Sequence, residues 1–223
     1  MRLSPPRFPG VRLVVFDLDG TLVDSSRDLA SAVNAALVRL EPRAPALSHE
    51  RVRSFIGDGA RTLVARSLAA AGLAVPAERA LPVFLERYSR CLLDTTVLYP
   101  GVVECLERLR GRRLAVLTNK PGGLSRRILE GLGVSERFFR VVGGDDAPRK
   151  PDPAGLLSLA REAAASPGEV LMVGDSANDV RTGRAAGAFT VGVRYGFDPA
   201  GLAAEPPDAT VEGLEQLAAL VGG

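Results

Sequence analysis

Two aspartates follow the first apolar run of the chain, in the stretch Asp17-Leu-Asp19-Gly-Thr. That run, Leu-Val-Val-Phe at 13–16, predicts a buried strand. Carboxylates two positions apart just past a strand end can both reach one site, and Gly20 permits a tight turn with close backbone approach. An Asp-x-Asp turn is weak evidence by itself, so its meaning depends on the residues at the ends of the other strands.

Polar side chains also follow three later strand-like runs. Thr118 and Asn119 follow the second run and offer a hydroxyl and nearby backbone donors for phosphate oxygens. Lys150 comes after the third run and supplies a compact positive charge for a phosphoryl group. The fourth run is followed by a second acidic cluster at a helix start, which contains Asp175 and Asp179. This recurrence of polar turns at strand ends predicts a single site.

The chemistry that such a set of side chains can support is phosphoryl transfer. The transition state needs positive charge and donors around the phosphoryl oxygens. Magnesium prefers oxygen ligands such as carboxylates, and a covalent route needs an aspartate nucleophile. A further acid must protonate the leaving oxygen and then deprotonate water. The only histidine, His49, lies at an apparent helix start, so the acid/base is predicted to be a carboxylate, with Asp19 the nearest candidate. One histidine also excludes a multi-histidine zinc site.

The elements that must position these residues alternate between strands and helices. Each predicted strand is short and apolar on both faces, as in a parallel sheet covered by helices on both sides. The predicted strands are 13–16, 114–117, 139–142, 170–173 and 190–193. The predicted helices between and after them begin near 102, 124, 153, 177 and 213. The pattern predicts an α/β fold with a doubly wound, Rossmann-like parallel sheet.

Residues 25–96 break this alternation, because they show helical patterns only. We expect a separate all-helical cap domain there, inserted into a catalytic core made of residues 1–24 and 97–223. Predicted cap helices include one capped by Ser48 and ending at Gly57, and one that is kinked or restarted at Pro82. A helical insert at this point should cover the carboxyl ends of the strands, where open α/β sheets bind ligands. The turn at Gly57 is either a simple join between helices or a loop that enters the closed site, with Arg61 or a loop amide meeting the substrate.

Composition predicts a soluble, cytoplasmic protein with a substantial core. Apolar residues make up 46% of the chain and charged residues 24%. The formal net charge of +2 and the scattered basic residues argue against nucleic acid as a partner. The sequence shows no signal peptide and no apolar run long enough for a membrane span. Cys91 and Cys105 are expected to be reduced thiols. The partner is therefore expected to be a small phosphorylated metabolite, with the chain a monomer or homodimer.

Four motifs, in order, resemble those of the haloacid dehalogenase superfamily: FDLDGTL, LTN, KPDP and VGDSANDV. The resemblance implies a Rossmann-like core with a mobile helical cap, and Mg²⁺ as cofactor. It implies that Asp17 is the nucleophile and a metal ligand, and that Asp19 is the general acid/base and gives its backbone carbonyl to the metal. By the same resemblance Thr118 and the Asn119 amide hold the phosphoryl group and Lys150 neutralises it. Asp175 binds the metal, and Asp179 supports the metal or Lys150.

Within that superfamily, secondary matches such as Tyr99-Pro-Gly101 resemble the phosphoglycolate phosphatase branch. That resemblance implies hydrolysis of 2-phosphoglycolate through an aspartyl-phosphate intermediate. Arg194 departs from the branch, where a smaller polar residue is common. Other substrates remain open alternatives, namely pyrophosphate, a sugar phosphate or a nucleotide, as does a phosphomutase. A non-catalytic binding protein on the same scaffold is disfavoured because every catalytic position is filled.

Overall fold

A six-stranded parallel sheet forms the centre of the computed structural model, which describes residue 8 and residues 10–222. The strand order is β5-β4-β1-β6-β7-β8. The strands are β1 (Leu13–Phe16), β4 (Arg113–Leu117), β5 (Arg140–Val142), β6 (Val170–Gly174), β7 (Phe189–Val193) and β8 (Ala209–Val211). A separate antiparallel pair joins β2 (Val23–Asp24) to β3 (Val97–Leu98). The start of the predicted core, residues 1–7 and residue 9, lies outside the described residues, as does residue 223.

Helices cover both faces of the sheet. Those after β3 are α5 (Val102–Arg108), α6 (Gly122–Gly131), α7 (Ala154–Glu162), α8 (Ala177–Ala185), α9 (Pro199–Ala204) and α10 (Leu217–Val221). Short 3₁₀ turns lie at Ser135–Arg137, Pro167–Glu169 and Leu214–Gln216. The five predicted strands and the doubly wound parallel sheet are confirmed. The prediction missed β2, β3, β8 and α9, which are all six residues or shorter. Elements of this length carry too little periodic pattern to be recognised.

Alternation along the strands explains the two layers. Val14 and Phe16 of β1 face one apolar cluster, whereas Leu13 and Val15 face the other. On the second face, Leu156 and Leu159 of α7 pack against the sheet and are almost completely buried. Burial of a leucine side chain contributes about 2 kcal/mol, so this face holds α7 in place through its apolar stripe. Strands with both faces buried must read as continuous apolar runs, as they do here.

Between β2 and β3 the chain forms four helices, here called the helical segment (residues 26–90). They are α1 (Ser26–Leu40), α2 (His49–Arg53), α3 (Ala60–Ala70) and α4 (Ala77–Arg90). The helix predicted to end at Gly57 stops at Arg53, because tighter turns follow, in which the Phe55 and Ile56 N–H groups donate to the carbonyls three residues earlier. Helix α4 is continuous through Pro82, so the predicted restart is wrong. Pro82 lies in the first half of α4, where the missing N–H removes a single helical bond.

The junction of the helical segment with the sheet is fixed by Asp28 of α1. Its buried carboxylate accepts hydrogen bonds from the backbone N–H and the hydroxyl of both Thr95 and Thr96. These two threonines immediately precede β3, so Asp28 joins the first helix of the segment to the chain that returns to the core. None of the helices in the described part of the chain is long and apolar enough to cross a membrane.

Candidate active site

Asp17 lies at the carboxyl end of β1, in the middle of the sheet, and only 7% of its surface is exposed. Its backbone N–H donates to the Val173 carbonyl of the neighbouring strand at 2.8 Å. Its Oδ1 accepts from the Leu18 N–H at 2.7 Å and lies 2.9 Å from Lys150 Nζ. No described residue donates a hydrogen bond to Oδ2. The carboxylate is therefore oriented through one oxygen, while the other remains available.

Lys150 connects Asp17 to the second acidic cluster. Its ammonium group is buried and lies 2.6 Å from Asp179 Oδ1 as well as 2.9 Å from Asp17 Oδ1. The side chain of Asn119 holds the Lys150 backbone, because it accepts from the Lys150 N–H at 2.8 Å and donates to the Lys150 carbonyl at 3.1 Å. Asn119 thus uses its side chain on Lys150, and its backbone N–H has no acceptor among the described residues.

Asp175 and Asp179 lie at the start of α8, directly after β6. Ser176 is the N-cap of α8 and Asp179 is at position N3 of the same capping box. Asp179 Oδ2 accepts from both the N–H and the hydroxyl of Ser176. Asp175 Oδ2 accepts from the Phe197 N–H at 2.5 Å. Gly20, at φ +82°, must be a glycine because a Cβ there would stand 2.2 Å from Asp175 Oδ2. The first motif and the fourth motif are therefore packed in direct contact.

Asp19 points to the other side of the site. Its two carboxylate oxygens both accept from Lys120 Nζ at 2.9 Å, and Oδ1 also accepts from the Ser25 hydroxyl. The Lys120 ammonium is buried and lies 4.6 Å from the centre of the Tyr88 ring of α4. Thr118, on the neighbouring strand end, is 3% exposed. Each aspartate of the first motif thus has its own lysine.

The loop at Gly57 lies over this site. The Gly57 carbonyl accepts from Asn119 Nδ2 at 2.9 Å, and Asp58 Oδ1 accepts from Asn178 Nδ2 at 2.8 Å. A Cβ at Gly59 would stand 3.0 Å from the Asn119 carbonyl, so the loop backbone touches the core. Arg61 is not brought to the site, because its exposed guanidinium pairs with Glu78 of α4. Of the two interpretations of this turn, the contacts favour the loop that enters the closed site.

A family model described as haloacid dehalogenase-like hydrolase matches residues 11–187. The chain belongs to this hydrolase family. The phosphoglycolate phosphatase of Pseudomonas putida is 41% identical over 222 residues, which covers 94% of this chain and 80% of that protein. The phosphoglycolate phosphatase of Chromobacterium violaceum is also 41% identical and covers 93% of this chain and 95% of that protein. The family and these relatives confirm the predicted superfamily and support the predicted phosphoric monoester hydrolase.

Solved structures of the family agree with the fold. The crystal structure of a predicted phosphoglycolate phosphatase from Haemophilus somnus superposes with a TM-score of 0.87 at 34% identity. That match covers 93% of this chain and 96% of the other. The similarity therefore includes both the sheet and the helical segment, since the uncovered part is smaller than the segment.

A divalent metal ion fits the carboxylates of this hydrolase on charge alone. Asp17, Asp175 and Asp179 each offer an oxygen, and these oxygens lie within 4.8 Å of one another. All three side chains are buried, and Lys150 is the one cation among the described residues in contact with them. Buried carboxylates without a compensating charge are costly. Burial accordingly raises the pKa of Asp17 to about 6 in the metal-free protein and raises the pKa of Asp175 well above its usual value.

Metal binding should therefore stabilise the hydrolase more at neutral than at acid pH. The Asp17 pKa is raised by burial, so its contribution to stability is present below about pH 4 and is lost as the pH rises through about 6. A cation removes this loss, and a hundredfold excess over its Kd adds about 3 kcal/mol. We expect the rise in Tm on adding MgCl₂ to be larger at about pH 7.5 than at about pH 5. Thermal unfolding with MgCl₂ or with EDTA checks this, and an equal rise at both pH values would contradict it.

Lys120, Ser25 and Tyr88 are site residues to which the sequence interpretation gave no role. The local sequence does not identify Ser25 and Tyr88 as site residues, because their contacts with Asp19 and Lys120 depend on how the helical segment packs. Lys120 is distinguished by its residue type. The chain contains 26 arginines and only two lysines, Lys120, three residues after β4, and Lys150, in the loop between β5 and α7. Both lysines are buried and paired with site carboxylates, where a compact ammonium group takes less space than a guanidinium.

Proposed function

We propose that this hydrolase is a magnesium-dependent phosphatase that converts 2-phosphoglycolate to glycolate and phosphate through an aspartyl-phosphate intermediate. The observation that carries the proposal is the orientation of Asp17. One oxygen is held by Leu18 N–H and Lys150, the other has no donor among the described residues, and Asp17 lines the same cavity as Thr118 and Asn119. A phosphoryl group at that point has a nucleophile, donors and a cation around it.

In the first step Asp17 Oδ2 attacks phosphorus, a bond forms between them, and the ester P–O bond breaks. The leaving oxygen takes a proton from Asp19, which lies two residues away on the same turn. In the second step water attacks the aspartyl phosphate and gives a proton to Asp19. The P–O bond to Asp17 breaks and phosphate leaves. Lys150 and Thr118 hold the phosphoryl oxygens throughout.

Mg²⁺ bound by Asp17 and Asp175, with Asp179 in support and the Asp19 carbonyl as a further ligand, would neutralise charge on the phosphoryl group. The protein's own part is to keep the carboxylates apart and correctly directed. Lys150 does so for Asp17 and Asp179, and the Phe197 N–H does so for Asp175.

We also propose that residues 25–96 act as the cap of a core made of residues 1–24 and 97–223. The contacts of Gly57 and Asp58 with Asn119 and Asn178 support a cap that excludes water when closed. Gly57 and the loop amides would border the substrate, whereas Arg61 is held at the surface by Glu78. The cytoplasmic location and the monomeric or homodimeric state stay predictions from the sequence.

Phosphate release from a substrate panel tests this function. With MgCl₂, we expect 2-phosphoglycolate to give a higher kcat/KM than pyrophosphate, glucose 6-phosphate or AMP, and EDTA to abolish all release. If phosphoglycolate is not among the better substrates, the substrate assignment is wrong but the phosphatase stands. If no phosphate is released from any compound with MgCl₂, the enzyme proposal itself is wrong.

A further inference from the structure

A partly open cavity next to Asp17 and Asp19 lies between the helical segment and the core. Most of its wall is apolar and consists of side chains such as Leu29, Ile56, Leu63, Phe84, Leu85 and Leu124. Apart from the residues already assigned to the phosphoryl site and to the acid, two of its wall residues have polar side-chain atoms. These are Lys120 of the core and Tyr88 of α4. The part of the substrate beyond the phosphate must be recognised by them or by apolar contact alone.

Lys120 has donor capacity that its protein contacts do not exhaust. An ammonium group has three N–H bonds, and the two oxygens of Asp19 accept from it at 2.9 Å each. The centre of the Tyr88 ring lies 4.6 Å from this ammonium group, which favours its charged form. The Lys120 side chain is 4% exposed and lines the cavity, so a further acceptor has to come from within the cavity.

Tyr88 places a buried hydroxyl next to Lys120 in the same cavity. Its side chain is 1% exposed, and its hydroxyl has no hydrogen-bond partner among the described residues. A buried hydroxyl without a partner costs about 1–3 kcal/mol, and leucine or phenylalanine would fill the same space without that cost. Phe84 stacks on the Tyr88 ring with centroids 5.6 Å apart, which holds the hydroxyl in place. A ligand atom is the partner that this donor lacks.

We propose that Lys120 Nζ and Tyr88 Oη form a subsite for a second anionic group of the substrate, a carboxylate carried close to the phosphate ester. Both are donors, and the other polar side chains of the cavity wall are the two carboxylates of the first motif and Thr118 and Asn119, which are assigned to the phosphoryl group. The subsite rests on the proposed phosphatase function and deepens it. Lys120 is one of two lysines in an arginine-rich chain, and its compact ammonium group leaves more of the cavity free than a guanidinium would. It also places the carboxylate beside Asp19, the proposed proton donor.

The test compares 2-phosphoglycolate with ethyl phosphate, which has the same ester but no carboxylate. The readout is the ratio of the two kcat/KM values. In Tyr88→Phe, which keeps the ring and removes only the hydroxyl, we expect this ratio to fall about tenfold, the loss of one hydrogen bond to a charged group. In Lys120→Met we expect a fall of roughly 100-fold. Tyr99→Phe, a tyrosine outside the cavity wall, is the matched control and should keep the ratio.

The outcomes separate the two proposals. If the wild-type protein prefers 2-phosphoglycolate but Tyr88→Phe and Lys120→Met keep the full preference, the subsite is wrong and the proposed function stands. If the wild-type protein hydrolyses both esters equally well, both the substrate and the subsite are wrong. Tyr88→Phe should not unfold, because it removes an unpartnered group, so the test remains decisive even if Lys120→Met is unstable.

A binding measurement on the unaltered protein gives a second readout. Because the chain has two lysines, labelling with ¹⁵N-lysine yields two side-chain ammonium signals, which Lys120→Met assigns. We expect 3-phosphonopropionate, a non-hydrolysable analogue with a carboxylate, to shift the Lys120 signal. Propylphosphonate, which lacks the carboxylate, should leave it near its unliganded position. Equal shifts with both ligands would overturn the subsite.

Discussion

Replacing Asp17 with asparagine is expected to lower kcat by roughly 10⁴-fold or more, because the amide is a poor nucleophile and Lys150 and the Leu18 N–H orient this side chain. Asp17 Oδ2 is the only oxygen of that residue left without a protein donor, and the remaining aspartates of the site are tied to Lys120, Ser176 or Phe197. Steady-state phosphate release from 2-phosphoglycolate and from an aryl phosphate measures the loss.

The loss should not come from unfolding. Burial raises the pKa of Asp17 to about 6, so the charged carboxylate is unfavourable in the metal-free protein at neutral pH. Asparagine has the same shape and no charge, and we expect the metal-free Asp17→Asn variant to melt at or above the wild-type Tm. Asp152→Asn, an exposed carboxylate whose contact with the Ala154 N–H an asparagine oxygen can keep, is the control and should have wild-type activity and Tm.

Detection of the phosphoenzyme distinguishes the role of Asp17 as nucleophile from that of Asp19 as acid/base. In Asp19→Asn, the attack by Asp17 remains possible while the proton transfers are lost, so phosphoenzyme should form slowly or not at all and should not turn over. Mass spectrometry of acid-quenched protein locates any added phosphoryl group. A phosphoryl group found on a residue other than Asp17, or substantial turnover by Asp17→Asn, would contradict the mechanism.

Most strands of the sheet and the residues of the four motifs could be predicted from the sequence, and the elements that could not be predicted share a physical reason. Buried parallel strands are apolar on both faces, so 13–16 and 170–173 could be recognised without partners. Because parallel strand ends meet at one edge, the residues that follow them could be grouped into one site. Strands of two or three residues, such as β2 and β8, have no such pattern and form through pairing with their neighbours.

Contacts between the helical segment and the core could not be predicted. Tyr88 is separated from Lys120 by more than thirty positions, and only the packing of α4 over the sheet brings the two together. Arg61 shows the opposite case. A basic residue close to a loop over the site suggests substrate binding, yet its position on α3 directs it to Glu78 at the surface. Helical phase and tertiary packing, which local sequence does not reveal, decide such contacts.

Replacing Lys150 with methionine is expected to be the most destabilising single change in the site. The Lys150 ammonium is buried and is shared by Asp17 and Asp179, so methionine leaves the carboxylate cluster without its cation. Breaking a buried ion pair in this way costs about 3–5 kcal/mol. For a chain of this length we expect the metal-free Tm to fall by roughly 10 °C at about pH 7.5. Phosphate release should be lost as well.

Dependence on pH and on metal distinguishes this charge effect from a packing defect. Protonation relieves the repulsion among the carboxylates, so the Tm deficit of Lys150→Met should be smaller at about pH 5 than at about pH 7.5. A divalent cation should reduce the deficit in the same way, since it replaces the missing positive charge. Arg90→Met removes an exposed ion pair with Glu86 and is the matched control, with an expected change below about 1 kcal/mol. A deficit that does not depend on pH or MgCl₂ would mean that Lys150 stabilises the fold by packing and does not balance the charge of the acidic cluster.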